Sequence, residues 1–442
     1  MAKHSTRQRY IPFRKTDLVK MLLAEKGRED NTKESFRELC EILFAFFHFE
    51  FHEKIETIKD CYAPFGADIS TKRVEELSPQ EAEETRARLR KELCALADAA
   101  NFQPVEKADL DRALEEESLL KVRLVASFDD FAEVLVFRRG ESVRTEETSH
   151  FFGLKKKKIR FITYDRVLLY LQYPETEDLK RETNDISAPA SPHAPSIVKL
   201  FQNVPKADLE MLFPNAQVRM RTVDKLAIGL PALVTGGVTV TTKLLAAIGL
   251  FAAILGSWLG IGDDPKELDQ TSVTALALTF GSLGAFLFKQ WTKFKNRKIQ
   301  FMKTLSDHLY FRNLDNGAGV FHNLLDAAEE EESKEAILAY HFLLTAGTPL
   351  SHAEIDERIE HWLETKWKCP VNFEIDDALS KLSRLGLIEK SLGKTWYAVP
   401  LDKAKRHLDQ LWDNHFSYHD AAKEAEEATE SGVSRRENVE KP

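Results

Sequence analysis

At 442 residues the chain has room for about two or three domains, and its formal net charge of −9 speaks against a general nucleic-acid binder, which needs an excess of bases. Cys40, Cys61, Cys94 and Cys369 form no CxxC pair and read as reduced, structural thiols of a cytoplasmic bulk. No apolar stretch opens the chain, so no secretory signal is expected.

Residues 1–118 read as a helical region whose ordered part starts at Tyr10-Ile-Pro-Phe-Arg14. From Lys33 to Asp60, Phe36, Leu39, Cys40, Leu43, Phe46, Phe47 and Phe51 recur at spacings of three and four, which predicts a helix. Ser78 to Asn101 predicts a second, with Ser78 as N-cap, Pro79 at the first position and Glu81 three residues on from the cap. A third, shorter helix is expected at Asp109–Glu117.

Residues 119–218 change to a period of two. Val122, Leu124 and Ala126 open the pattern, and the runs Val134–Arg138, Ile159–Tyr164 and Arg166–Tyr173 continue it. Turns are expected at Arg139-Gly140 and Tyr164-Asp165, giving an antiparallel meander of four or five strands, with Ile197–Gln202 as one more. Residues 174–196, with Pro189, Pro192 and Pro195, read as a flexible loop.

Residues 219–298 predict a transmembrane hairpin. Leu244–Gly262 and Gln270–Phe288 carry no charge. Each run of about 19 residues makes roughly 28 Å of helix, the thickness of a bilayer core. Spans are expected at about 238–261 and 270–288. Acids fill the turn between them and bases flank the outer ends, so both long ends are expected in the cytoplasm. Lys243 is read as snorkelling to the inner interface, where Trp258, Lys289 and Trp291 also belong. Leu226 to Thr242, with Pro231 and Gly236-Gly237, reads as a broken or interfacial helix.

Residues 299–333 are expected to form post-membrane helices, broken at Asn313-Leu-Asp-Asn316. Residues 334–415 give three helices and then a hairpin, the order of a winged-helix-like unit, and residues 416–442 read as a disordered, charged tail. The fold class is therefore an α+β membrane protein: N-terminal helices, an antiparallel β-meander, a two-helix transmembrane hairpin and a C-terminal winged-helix-like unit.

The sharpest chemical motif is His48-Phe-Glu-Phe-His52. On a helix its histidines share a face at i and i+4, a spacing used for zinc, and Glu56 one turn on is the candidate third ligand. Asp129, Asp130 and Glu133 are candidate paired carboxylates, and His308, Asp315 and His322 flank the Asn-rich break. Lys155, Lys156, Lys157 and Lys158 read as a solvated turn or a contact with anionic lipid. The third helix of the C-terminal unit carries Glu374, Asp376 and Asp377 against Lys381 and Arg384, a balance that favours protein contact over DNA.

Several blocks together resemble a known family. They are Tyr10-Ile-Pro-Phe-Arg14, Cys61-Tyr-Ala-Pro-Phe65, Phe128-Asp-Asp-Phe131 through Phe137-Arg-Arg-Gly140, and Val204 through Leu212. After the hairpin come Lys293-Phe-Lys-Asn-Arg-Lys298, Tyr310 through Asn316, and Gly319-Val-Phe-His322. This set resembles the domain-of-unknown-function family that includes transmembrane protein 143, over about residues 10–410. The resemblance implies a two-span membrane protein and carries over no reaction and no catalytic residue. With the family start at Tyr10, the expected location is a bacterial inner membrane, multi-pass, with both termini cytoplasmic.

The expected function is a membrane-anchored, non-enzymatic adaptor or regulator that touches lipid and whose cytoplasmic domains bind protein partners or self-associate. Two alternatives stay open. One is an ion or small-solute pathway formed by oligomerised hairpins around Lys243, and the other is a metal-dependent, membrane-associated enzyme using His48 and His52.

Overall fold

The computed structural model describes residues 7–25, 30–66, 77–106, 123–125, 127–150, 155–174, 193–219, helical positions scattered between 270 and 307, 309–391 and 394–416. Two compact units result. One comprises Met1–Val105, Phe131–Asn203 and Leu314–Pro442, and the other Glu106–Asp130 and Val204–Asn313.

The first unit is built on seven described helices: α1 (Lys15–Leu23), α2 (Asp30–Tyr62), α3 (Pro79–Ala99), α4 (Ala318–Ala346), α5 (His352–Trp367), α6 (Ile375–Arg384) and α7 (Leu401–Asp413). The stripe from Phe36 to Phe51 is the buried face of α2, and Ile55, Ile58 and Cys61 continue it. At the start of α3, Glu81 N donates to Ser78 Oγ and Ser78 N donates to Glu81 Oε2 (3.3 and 2.8 Å), a reciprocal cap. Helix α4 is the centre: α1, α2, α3, α5 and α6 all pack on it. Its first turns bury one face through Val320, Phe321 and Leu324, and from Ala336 to His341 it is buried all round, with Ile337, Leu338 and Tyr340 in the core.

A five-stranded sheet lies in this unit in the order β1 (Gln103–Pro104), β3 (Glu133–His150), β4 (Lys155–Gln172), β5 (Ser196–Pro205), β7 (Asn313–Asn316). β3 and β4 form one long antiparallel ribbon, from Glu133↔Gln172 to His150↔Lys155. The turns expected at Arg139-Gly140 and Tyr164-Asp165 are therefore strand interior. Gly140 takes φ +71°, and a Cβ there would lie 2.2 Å from Asp165 Oδ2, so glycine lets the irregularity pass without ending the ladder. The Asn-rich break at 313–316 is β7. Further on, β8 (Leu350–Ser351), β10 (Thr395–Ala398) and β9 (Ile388–Ser391) make a three-stranded sheet beside α5 and α6, in the order β8-β10-β9.

In the second unit β2 (Arg123–Val125) pairs with β6 (Gln217–Arg219). Two 3-10 turns, Phe128–Asp130 and Lys206–Leu212, accompany them, and Phe128 meets Phe213 edge to face at 4.9 Å.

The expected transmembrane hairpin is not upheld. Among the described residues no helix is long and apolar enough to cross a membrane. The first expected span, with Lys243 and Trp258, lies outside the described residues, and the second is described only at scattered helical positions. The fold class is corrected accordingly to α+β with antiparallel sheets, and the multi-pass inner-membrane location falls with the spans that carried it. That expectation rested on uncharged length, which a core helix and a bilayer helix share. The expected helix at 109–117, most of the 174–196 loop and the tail from 417 also lie outside the described residues.

Candidate functional site

Helix α4 carries Glu329-Glu-Glu-Glu-Ser-Lys-Glu335 at its middle. Successive helical residues are about 100° apart, so four in a row sweep most of the circumference. On a helix covered by five others, some of them must point inward. Glu331 is 0% exposed, and Glu329, Glu332, Lys334 and Glu335 are buried. An isolated buried ion costs several kcal/mol, so each needs partners.

Glu331 has four donors. Its Oε1 accepts from Lys334 Nζ (2.8 Å) and Arg139 Nη2 (2.6 Å). Its Oε2 accepts from Ile11 N (3.0 Å) and Asn101 Nδ2 (3.4 Å). Lys334 Nζ also donates to Ile11 O at 2.6 Å. Asn101 Nδ2 donates to Glu335 Oε1 at 2.9 Å, and the other oxygen of Glu335 accepts from Lys381 Nζ at 3.3 Å. Lys381 further binds Asp377 at 2.6 Å and lies 3.6 Å from Glu332. Glu329 pairs with Lys15 and with His48 Nδ1 (2.9 Å). Arg14 gives α1 no side-chain cap, and Glu330 Oε1 supplies one by accepting from Lys15 N at 2.7 Å.

The N-terminal residues Arg7–Arg14 run through this network as a strap. Gln8 N donates to Pro370 O (3.2 Å) and Asn372 N donates to Gln8 O (2.8 Å), a bridge to the C-terminal part of the unit. Arg7 pairs with Glu360 and Glu364, and Arg9 with Glu374 and Asp98. Tyr10 OH donates to Asp165 Oδ2 at 2.9 Å, and the Arg139 guanidinium lies 4.7 Å over the Tyr10 ring. The strap thus ties α3, the β3–β4 ribbon, α4, α5 and α6 through one set of charges.

Burial lifts the Glu335 carboxyl to about 7 against the opposing pull of Lys381 and the Asn101 amide, with Glu331 and Asp377 adding to the rise. Burial also raises Glu332 and lowers Lys334, the latter against the attraction of Glu331. Burial works to lower Lys381, but Glu335, Glu332 and Asp377 outweigh it and hold the ammonium above its usual value. Burial raises the Tyr10 hydroxyl, and its bond to Asp165 raises it further. Acids and bases here answer one another at hydrogen-bond distance. The arrangement clasps distant segments of the chain together.

A second feature lies at the surface. Trp412 of α7 is 45% exposed and Phe416 beyond it 58%. Phe49 of α2 meets Trp412, His415 and Phe416 edge to face, with centroids 5.6, 4.6 and 6.0 Å apart, and Phe46 meets Trp412 at 5.3 Å. These rings form an aromatic ledge.

The structure places the sequence-predicted residues as follows. His48 is 72% exposed and engaged by Glu329. His52 and Glu56 are exposed, and Glu56 accepts from Lys59 at 2.9 Å. Among the described residues no group of three or more His, Cys, Asp or Glu is arranged to hold a metal ion. Asp130 accepts from Asn215 Nδ2 (2.7 Å), while Glu133 pairs with Arg90 (2.9 Å). Asp315 accepts from Asn323 Nδ2 at 2.6 Å, His322 is exposed, and His308 lies outside the described residues. Lys289 and Trp291 are exposed helical positions, and Lys155–Lys158 open β4. Arg384 makes a bidentate pair with Glu50, and Lys381 is buried in the clasp.

Sequence reasoning missed the clasp. A signal was present: an unbroken acidic run in the middle of a helix, followed directly by the largely apolar stretch from Ala336 to Leu344. No solved structure matches this chain. The family match that does exist runs from β4 to the start of α4, leaving Arg139, Glu331, Lys334 and Lys381 outside it, and it names no individual member such as transmembrane protein 143. Residues 164–319 match the model of the family described as protein of unknown function (DUF3754).

Proposed function

We propose that the protein is a non-enzymatic adaptor or regulator that binds a protein partner through the aromatic ledge, with the buried clasp holding the ledge's supporting helices in place. The observation that carries this reading is the ledge itself. Trp and Phe side chains held in mutual edge-to-face contact and open to solvent are pre-ordered anchors of the kind that dominate protein interfaces.

The charge on α6 supports a protein partner over nucleic acid. Its two bases are spent internally, Lys381 on Glu335 and Asp377 and Arg384 on Glu50, so few cations remain there to release counterions from a phosphate backbone.

A photo-crosslinker placed at Phe416 in the full chain tests the reading. It should give a protein–protein product, and Trp412→Ser should reduce that product by about tenfold or more while thermal unfolding stays cooperative. A product between copies of the chain redirects the reading to self-association. Crosslinking that survives Trp412→Ser sinks the ledge as the binding surface.

A further inference from the structure

Charge does not balance at the seam between α4 and α6. α6 buries Ile375, Ala378, Leu379 and Leu382, and Lys381 of the same helix is buried with them. Three carboxylates converge on that single ammonium. Asp377 Oδ2 is nearest at 2.6 Å, Glu335 Oε2 follows at 3.3 Å and Glu332 Oε1 at 3.6 Å. The other bases around α4 and α6 are committed elsewhere: Lys334 and Arg139 to Glu331, and Arg384 to Glu50 of α2. Full ionisation would therefore enclose more negative than positive charge.

The three acids differ in their access to water. The Asp377 side chain is half exposed, so water as well as Lys381 supports its charge. Glu332 is attracted by Lys54 of α2 as well as by Lys381, with Asp377 and Glu50 opposing. Glu335 lies deeper, at 3% exposure. Its other oxygen meets a neutral donor, the Asn101 amide at 2.9 Å, which also leans towards Glu331 at 3.4 Å. A buried carboxyl that shares its counter-charge with two rivals takes up a proton rather than stay ionised. The upward shift of Glu335 by burial agrees with that placement. The ends of α6 are held by contacts nearer the surface. Arg9 of the strap pairs with Glu374, Arg384 with Glu50, and His352 Nε2 of α5 meets Asp376 Oδ1 at 2.8 Å. Such contacts are individually weak.

We propose that the α4–α6 seam is a proton-operated latch: Glu335 is closed over as the neutral acid and gives up its proton when α6 lifts from α4. On opening, the O–H bond of Glu335 breaks, the proton passes to water, and the new carboxylate and Lys381 are both hydrated. The closed form thus binds one proton more than the open form. Opening is favoured as pH rises from the ordinary carboxyl value of 4.5, and the gain levels off above about 7. The motion is local, because α6 is a ten-residue helix on the side of α4 and its release leaves the packing of α2 and α3 on α4 intact.

The test is amide hydrogen exchange on the purified full chain, corrected for the intrinsic effect of pH on exchange. Between about pH 5.5 and 8 the opening equilibrium of α6 should rise by about tenfold or more. Its amides should exchange faster throughout than those of the buried stretch Phe36–Phe51 in α2. In Glu335→Gln the rise should shrink to about twofold or less, whereas His352→Gln, which removes the other group able to titrate in that range beside α6, should keep most of it. Should Glu335→Gln fail to fold, the parent chain still decides the matter. With its glutamate carboxyl carbons isotope-labelled and followed by NMR, a glutamate must titrate near neutrality. Opening that ignores pH, an undiminished rise in Glu335→Gln, α6 amides exchanging no faster than those of α2, or no glutamate titrating above about pH 6 each overturns the proposal.

Discussion

Two runs of four like charges meet opposite fates in this molecule. Glu329–Glu332 sit at the centre of a helix with five helices packed around it, and their charges are met by Lys15, Arg139, Lys334, Lys381, His48 and two backbone amides. Lys155–Lys158 open strand β4, and in register with β3 only Lys158 has an acid, Glu147, opposite it. Both runs look alike to any count of charge. What separates them is the element each run sits on, a helix with five others packed on it or the opening of a strand in a hairpin. Inside, every charge demands a counter-charge or a donor, because water is absent. At a surface, water screens an excess of one sign and the demand is weak.

The strongest way to break this comparison is to remove one member of the buried run. Glu331→Ala should cost about 3–5 kcal/mol in urea unfolding, since it leaves buried Lys334 and half-buried Arg139 without their carboxylate. A loss below about 1 kcal/mol would mean that the acids are not tied as the geometry indicates.

A smaller effect reports on the same interior through pH. The folded Glu335 carboxyl, raised by burial to about 7 from an ordinary 4.5, holds its proton more tightly than the unfolded one. Its contribution is therefore fully present below about 4.5 and is lost as pH climbs towards 7, so stability falls across that window. Glu335→Gln should remove on the order of 1–3 kcal/mol of that fall, read from unfolding curves between those two pH values. Glu332, shifted in the same direction by burial, should leave a residual slope. An unaltered slope in the variant would locate the titration elsewhere.

The smallest expected change lies in the lysine run. Changing Lys155 through Lys158 to Gln should alter stability by no more than about 0.5 kcal/mol per residue. A larger loss would place the lysines inside a bonded network and erase the contrast with the glutamates.

Much of the helical framework was legible because its signals are local. The apolar stripe of α2 and the Ser78–Glu81 cap of α3 each lie within a few turns of sequence, as does the Ser351–Glu354 cap of α5. The long ribbon was misread because Gly140 and Asp165 are turn residues by composition, and they fall opposite each other where a positive φ fits inside the ladder. Strands of 18 residues are also far above the usual five or six. The clasp was invisible for a different reason. Arg139 is 192 residues from Glu331, Asn101 is 234 from Glu335, and Ile11 is 320 from Glu331. Periodicity assigns charges to the solvent side, and nothing nearby in sequence says otherwise.

The strap carries a consequence for how the chain is made. Ile11 leaves the ribosome 320 residues ahead of the carboxylate that will receive its amide, and Gln8 waits longer still for Pro370 and Asn372. At about 5–20 residues per second, that delay is on the order of tens of seconds. Through that interval the strap has no place to bind, and α1 lacks the cap that Glu330 will give it. The strap, made well ahead of its partners, is thus among the last segments to settle, and its docking is timed by the arrival of the helices that carry Glu331 and Glu374.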